Sequence, residues 1–330
     1  MKNKSRSQRR RHKLQNNNAG ITRRRHINCS PGIEGQRATS NTCMPLSLLH
    51  RIRDDYNRKH RGNSPPIHET KANELFAALQ TRFMTCPDER CWIDRIFTDD
   101  NVRGKIKNTL FAPLQPLTWQ KNQVEWLSNE ELRLVLNQYE KRYPNFSLLG
   151  STYMNFTKVI NNQCLGDELC NFSLEKQVVN RGKTKLAMII NLAYYPNKGT
   201  HWVSMFIDVD EKFIFFFDSN GAPIPKDMAK FRDVVIAQGK NMSPPIHFHF
   251  YQNYPKIHQS SNTECGMYAL FFVITLLTNA VESPPNADGS PGKSRKLTTV
   301  AKKVKFFRTN RIPDRYVQQF RNIYFNKPSH

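Results

Sequence analysis

The chain has 330 residues, enough for one domain of about 200 residues with appendages or for two small domains. Its 50 Lys and Arg against 27 Asp and Glu give a formal charge of +23, which points to phosphate-bearing partners. No signal-peptide-like apolar stretch or membrane span is visible, so neither a secretory leader nor a bilayer-crossing helix is expected.

Residues 1–26 hold ten Lys or Arg and no acid, with blocks at Arg9-Arg10-Arg11 and Arg23-Arg24-Arg25. Almost nothing there is apolar, so residues 1–42 read as a basic disordered tail, suited to DNA phosphate contacts or nuclear import. The arginine blocks lack the amphipathic face of a mitochondrial presequence. Residues 43–120 read as a helical N-terminal domain. Leu46, Leu48, Leu49 and Ile52 recur at helical spacing, as do Leu75, Phe76, Leu79 and Phe83. Cys91-Trp92-Ile93 and Ile96-Phe97 add a third apolar patch.

Residues 121–282 read as the core. Ser128-Asn129-Glu130-Glu131 is a capping box, followed by a helix whose apolar face is Leu132, Val135, Leu136 and Tyr139. Leu186–Ile190, Trp202–Ile207 and Lys212–Phe217 read as strands, the last two joined by a hairpin turn at Asp208–Glu211. Ile246–Phe250 alternates and reads as another strand, its His247 and His249 without a suitably placed carboxylate. Met267–Leu277 is apolar on all sides, too long for an ordinary strand and too short to cross a bilayer, so it reads as a central buried helix. Residues 283–330 read as a linker, rich in Pro, Gly and Ser over Ser283–Pro291, and a C-terminal segment with a basic stretch from Lys293 to Arg308.

The chemistry lies in His201-Trp202, Asp218, Gln259 and Cys265-Gly266. A thiol attacks a carbonyl as thiolate and needs an imidazole beside it. The imidazole needs a carboxylate to fix its tautomer. The resulting oxyanion needs donors, which a Gln side chain and the Cys265 N–H can supply. His201 opens one strand and Asp218 closes the next, so a hairpin makes them neighbours. Cys265 falls in the first turn of the central helix, where the dipole favours a thiolate. Trp202 and Gly266 are candidates for contacting substrate. Seven cysteines are an odd number in a long chain, which suits a reducing compartment better than a disulfide framework. Cys86, Cys91, Cys164 and Cys170 are too loosely spaced to suggest zinc, so no metal and no cofactor is expected.

His-Trp, an Asp seventeen residues later and Gln-x5-Cys-Gly resemble the ubiquitin-like-protein proteases and the related adenovirus-type maturation proteases. The resemblance spans about residues 125–280 and is nearest to the branch in large nucleocytoplasmic DNA viruses, including the African swine fever type. Phe146–Gly150 leading into Tyr153–Phe156 carries it too, with Asn155 where Asp is common. Cys86–Trp92 and Arg311–Asp314 extend it. It implies an α+β, papain-like architecture of circularly rearranged order, a mixed sheet flanked by helices. It also implies that His201, Asp218, Cys265 and Gln259 serve as triad and oxyanion donor. The implied activity is cleavage of viral structural polyproteins at Gly-Gly-x or Gly-x sites during virion maturation, in the virion and the host cytoplasm or nucleus. A deubiquitinating or deSUMOylating enzyme, a thiol acetyltransferase and an inactive nucleic-acid-binding relative remain as alternatives.

Overall fold

A computed structural model describes residues 27–283 and 292–328. Of the tail read as disordered over 1–42, residues 1–26 and, further on, most of the Ser283–Pro291 linker lie outside the described residues. Residues 27–42 are instead ordered, because Cys29 is bonded to Cys43 and Ile33 is buried in the N-terminal core.

Four helices, α1 (Leu46–Lys59), α2 (Ala72–Arg82), α3 (Glu89–Ile96) and α4 (Asp100–Leu110), form the N-terminal region. They bury the apolar faces expected of them, with Leu49, Ile52, Leu75, Leu79, Trp92 and Ile93 in one cluster. Helix α5 (Asn129–Arg142) follows, and its capping box is formed by Ser128 and Glu131.

Strand β1 (Phe146–Tyr153) begins the sheet. The short pair β2 (Val159–Ile160) and β3 (Gln163–Cys164) precedes β4 (Lys185–Asn191), β5 (Trp202–Asp208) and β6 (Phe213–Phe217). Helix α6 (Lys226–Lys240) then leads to β7 (His249–Gln252) and α7 (Cys265–Thr278). The main sheet runs β1-β4-β5-β6-β7. Its outer pairs, β1 with β4 and β6 with β7, are parallel, and the pairs β4 with β5 and β5 with β6 are antiparallel. This is the expected mixed α+β architecture.

The sheet is covered on both faces, which is why its strands read as continuous apolar runs. Phe213, Phe215 and Phe217 face α7, while Ile214 and Phe216 face the α6 side. Helix α7 is buried along nearly its whole length.

Three further expectations are corrected. First, six of the seven cysteines pair as Cys29–Cys43, Cys86–Cys91 and Cys164–Cys170, and Cys265 alone is free. The odd count hid three pairs and one leftover thiol, so it was no argument against disulfides. Second, the segment after residue 282 is part of the core. After β8 (Ala280–Val281) and β9 (Arg295–Lys296), helices α8 (Val300–Thr309), α9 (Asp314–Gln319) and α10 (Arg321–Tyr324) send Phe307, Val317, Phe320 and Tyr324 into the cluster around α7. Within the basic stretch, Lys303 is fully buried and paired with Glu211, so it is not a phosphate contact. Third, strand pairing begins at His249, not Ile246, because the Ile246 N–H turns back to the Gly239 carbonyl at the end of α6 (2.8 Å).

The C-terminus also ties the two regions together. The Asn326 side chain accepts from the Asn28 N–H (2.7 Å) and donates to the Asn28 and Ala112 carbonyls (2.9 and 3.0 Å).

Candidate active site

The hairpin builds the first half of the site. Ser204 pairs with Phe217, so His201, just before β5, and Asp218, just after β6, flank one open end. His201 Nε2 lies 2.7 Å from Asp218 Oδ1. The same oxygen accepts the Asn220 N–H at 2.8 Å. Asn253, completely buried, brackets Asp218 by accepting its N–H (2.9 Å) and donating to its carbonyl (2.7 Å). Sequence reasoning missed Asn253, because the contact spans 35 residues and has no local signature.

Cys265 is the first residue of α7 and is 2% exposed. The thiol and its charge act on the His201 ring. With Nε2 engaged by Asp218, Nδ1 is the ring nitrogen left for sulfur. Burial pulls the His201 pKa down, but hydrogen bonds to Asp218 and Cys265, and the charge of both, carry it up to about 9. The imidazole therefore holds its proton at neutral pH.

Behind Cys265, the N-cap residue Glu264 is fully buried. Arg321 meets it through Nε and Nη2, both 3.3 Å from Oε2, and donates to the Glu125 carbonyl at 2.8 Å. Burial raises the Glu264 pKa, against the pull of Arg321. A buried pair of this kind fixes the geometry more than it stabilises the fold.

Gln259 sits in a loop fastened from both sides. Its Oε1 accepts from Ser219 Oγ (2.7 Å), and its own N–H bonds the Ser219 carbonyl (3.0 Å), beside Asp218. Its Nε2 donates to the Ser261 carbonyl (2.6 Å), leaving the second amide hydrogen available. On the other side, the Asp314 carboxylate accepts the N–H groups of Ser260 (3.1 Å) and Ser261 (2.8 Å), the Ser260 hydroxyl (2.7 Å) and the Tyr268 hydroxyl (2.9 Å). His258 Nε2 faces the Phe307 carbonyl (2.9 Å), and its Nδ1 accepts the Ile312 N–H (3.1 Å). Burial drives the His258 pKa down to about 4, so the ring stays neutral. Asp314 lies in the Arg311–Asp314 stretch whose likeness to viral enzymes is visible in the sequence, where no role could be given to it.

The structure thus brings His201, Asp218 and Cys265 together and sets Gln259 beside Asp218. Trp202 is 7% exposed, and its indole N–H donates to the Leu127 carbonyl (2.8 Å). Gly266 lies against the same residue: a Cβ there would come within 2.9 Å of Leu127 Cβ and 3.5 Å of Trp202 Cδ1. Trp126, next to Leu127, stays 42% exposed. Asn155 does not reach these groups. It pins Tyr195 by accepting its N–H (2.9 Å) and donating to its carbonyl (3.2 Å). Among the described residues, no cluster of three or more His, Cys, Asp or Glu could hold a metal ion.

Comparison with known proteins agrees with this geometry. Residues 175–313 match the Ulp1 protease family, C-terminal catalytic domain. A protein named as a thiol protease of Acanthamoeba polyphaga mimivirus is 26% identical over 258 residues, covering 72% of this chain and 81% of that protein. The SUMO-1 cysteine protease of African swine fever virus (isolate Tick/South Africa/Pretoriuskop) is 27% identical over 169 residues, covering 48% of this chain but only 60% of that protein. The crystal structure of the African swine fever virus protease superposes with a TM-score of 0.58 at 17% identity, covering 92% of this chain and 97% of the other, and shows the same fold. Over residues 175–313 the chain is similar to the catalytic domain of the Ulp1 protease family, and with these thiol and cysteine protease relatives it is a cysteine protease.

Proposed function

We propose that this cysteine protease is an endopeptidase that cleaves viral structural polyproteins at Gly-Gly-x or Gly-x sites during virion maturation. One observation carries the chemistry: the His201 ring lies 2.7 Å from Asp218 and is electrostatically coupled to the only free thiol among the described residues, at the start of α7. With the proton already on His201, Cys265 attacks the scissile carbonyl as the thiolate partner of that imidazolium. The second amide hydrogen of Gln259 and the Cys265 N–H receive the oxyanion. His201 then protonates the leaving amine, the thioester forms, and water activated by the same ring hydrolyses it. Asp218 orients the ring throughout and keeps its positive charge in place.

The contact of Leu127 with Gly266 and Trp202 supports a tight groove beside the thiol, in which glycine fits and larger side chains do not. In this reading the protease acts in the virion and is made in the host cytoplasm or nucleus. The name of the African swine fever relative favours a second reading, removal of ubiquitin-like proteins from host conjugates. Both readings share the glycine-rich cut, and substrates separate them. Purified protein is incubated with polyprotein fragments containing Gly-Gly-x and, in parallel, with SUMO and ubiquitin conjugates, and the products are mapped by mass spectrometry. Cuts after glycine in the fragments, absent with Cys265→Ala, support maturation. Cleavage of the conjugates alone would overturn it.

In this reading the basic tail and the exposed Lys293, Lys296, Lys302, Lys305 and Arg308 hold the enzyme on DNA without reading base sequence.

A further inference from the structure

Beside the nucleophile's helix is a cavity of about 560 Å³ formed between residues 115–124 and the C-terminal segment 315–328. Its volume is in the range of pockets that hold a few side chains. Six of its twelve lining residues are Gln or Asn, three are Arg315, Arg321 and Lys327, and none is Asp or Glu. Amides on several sides suit a peptide backbone, which offers N–H and C=O alternately.

The cations differ in kind. Arg321 is 4% exposed, stacks over Trp119 with its guanidinium carbon 4.5 Å from the ring centroid, and is held by Glu264. Its charge also feels Glu125, so it is a neutralised, rigid wall. Arg315 and Lys327 are exposed and make no ion pair among the described residues. Two unbalanced cations in an acid-free lining would attract a carboxylate.

The cavity is also close to the site. Arg321 touches Glu264, the residue before Cys265. Val124 lines the cavity, and Leu127, three residues on, packs against Gly266 and Trp202. Three residues of extended chain span at most about 11 Å, the reach of a few substrate residues from the scissile bond.

We infer that this cavity is a substrate subsite for an acidic residue a short distance from the glycine cut, with Arg315 and Lys327 as its specificity-determining residues. The inference rests on the protease reading only for what the peptide is; binding at the cavity is measured separately.

Full-length Cys265→Ala protein is titrated with Gly-Gly peptides in which Glu or Gln is placed at successive positions, from about two to about five residues on either side of the glycines. One register binds about fivefold or more tightly with Glu, as expected of complementary charges. Arg315→Gln with Lys327→Gln abolishes the difference and leaves the Gln peptides unaffected. Arg315→Glu with Lys327→Glu reverses the preference toward a Lys peptide. Both residues are exposed, so neither double variant disturbs the core. Equal affinity for Glu and Gln at every register, or a preference that survives the double Gln variant, would overturn the inference. Cleavage of the Gln peptides by the unsubstituted protein reports on the protease reading alone.

Discussion

His201 and Asp218 meet because two consecutive strands share one hairpin, whereas Gln259 and Cys265 are positioned from more than forty residues further along the chain. The first pair is brought together by the β5–β6 register and the turn between them, with Asn253 reaching in from further along the chain to bracket Asp218. The second depends on Asp314 gripping Ser260 and Ser261, on His258 bridging to Phe307 and Ile312, and on Arg321 holding Glu264. The base and its orienting carboxylate are therefore built locally, while the nucleophile and the oxyanion donor are held by the C-terminal segment. Damage to the C-terminus should thus impair transition-state stabilisation while leaving the His–Asp contact intact.

The strongest break of the comparison is at the reacting groups themselves. Cys265→Ala and His201→Ala should each lower kcat by about a thousandfold or more, since members of such a unit are needed together. A melting temperature near that of the parent protein for Cys265→Ala would show the fold is retained, and full activity of either variant would remove the proposed chemistry. Next comes Gln259→Ala, expected to lower kcat by roughly 10–1000-fold with little change in KM, because its hydrogen bond strengthens as charge develops. A pure KM effect would make Gln259 a binding residue instead.

Asp314→Asn tests the C-terminal grip. It replaces a charged acceptor of several donors with a neutral one, at a cost of about 1–3 kcal/mol of stability. If the loop then releases Gln259, kcat falls by about tenfold while the pH profile set by His201 is unchanged. A shift in that profile would mean that the two halves are not separately built.

The pH dependence separates the halves by a different route. His201, raised to about 9 against an ordinary 6.5, contributes stability that is complete below 6.5 and lost as pH rises through 9, and activity should fall over the same alkaline range. His258 is held neutral down to about 4. The unfolded chain takes up a proton below its ordinary 6.5 and the folded chain does not, so stability falls as pH drops from 6.5 toward 4. Thermal melts across pH, with and without His258→Gln, check the acid limb, which should flatten in the variant.

The smallest effect is expected from deleting residues 1–26. Cleavage of a short free peptide should stay nearly unchanged, while the slope of DNA affinity against salt flattens because fewer counterions are released. Identical DNA titrations for full-length and truncated protein would leave the tail without that role.

How much could be read in advance follows the same division. The capping box at Ser128, the helical faces around Leu49 and Leu79, the hairpin and the apolar helix after Cys265 were all legible, because each is written in residues a few positions apart. The Gln259–Cys265 spacing marked the second half of the site through its resemblance to known proteases, but not what holds it. The C-terminal segment was misjudged because its lysines and arginines stood out, while Phe307, Val317 and Phe320 find their partners only once α8 and α9 lie against α7. The Cys86–Cys91 and Cys164–Cys170 pairs were close in sequence, yet a count alone cannot distinguish paired from free thiols.

From the amino-acid order alone came the types of the main elements, the residues with nucleophilic and basic chemistry, and the hairpin that joins His201 to Asp218. Only the tertiary structure decided which thiol is free, that Asn253 brackets Asp218, and that Asp314, His258 and Arg321 hold the Gln259 loop and the start of α7. The physical reason is range. Periodicity and turn chemistry act over a few residues, whereas a buried carboxylate or imidazole takes whatever partner the packed chain brings to it, and those partners lie 35 to 57 residues away.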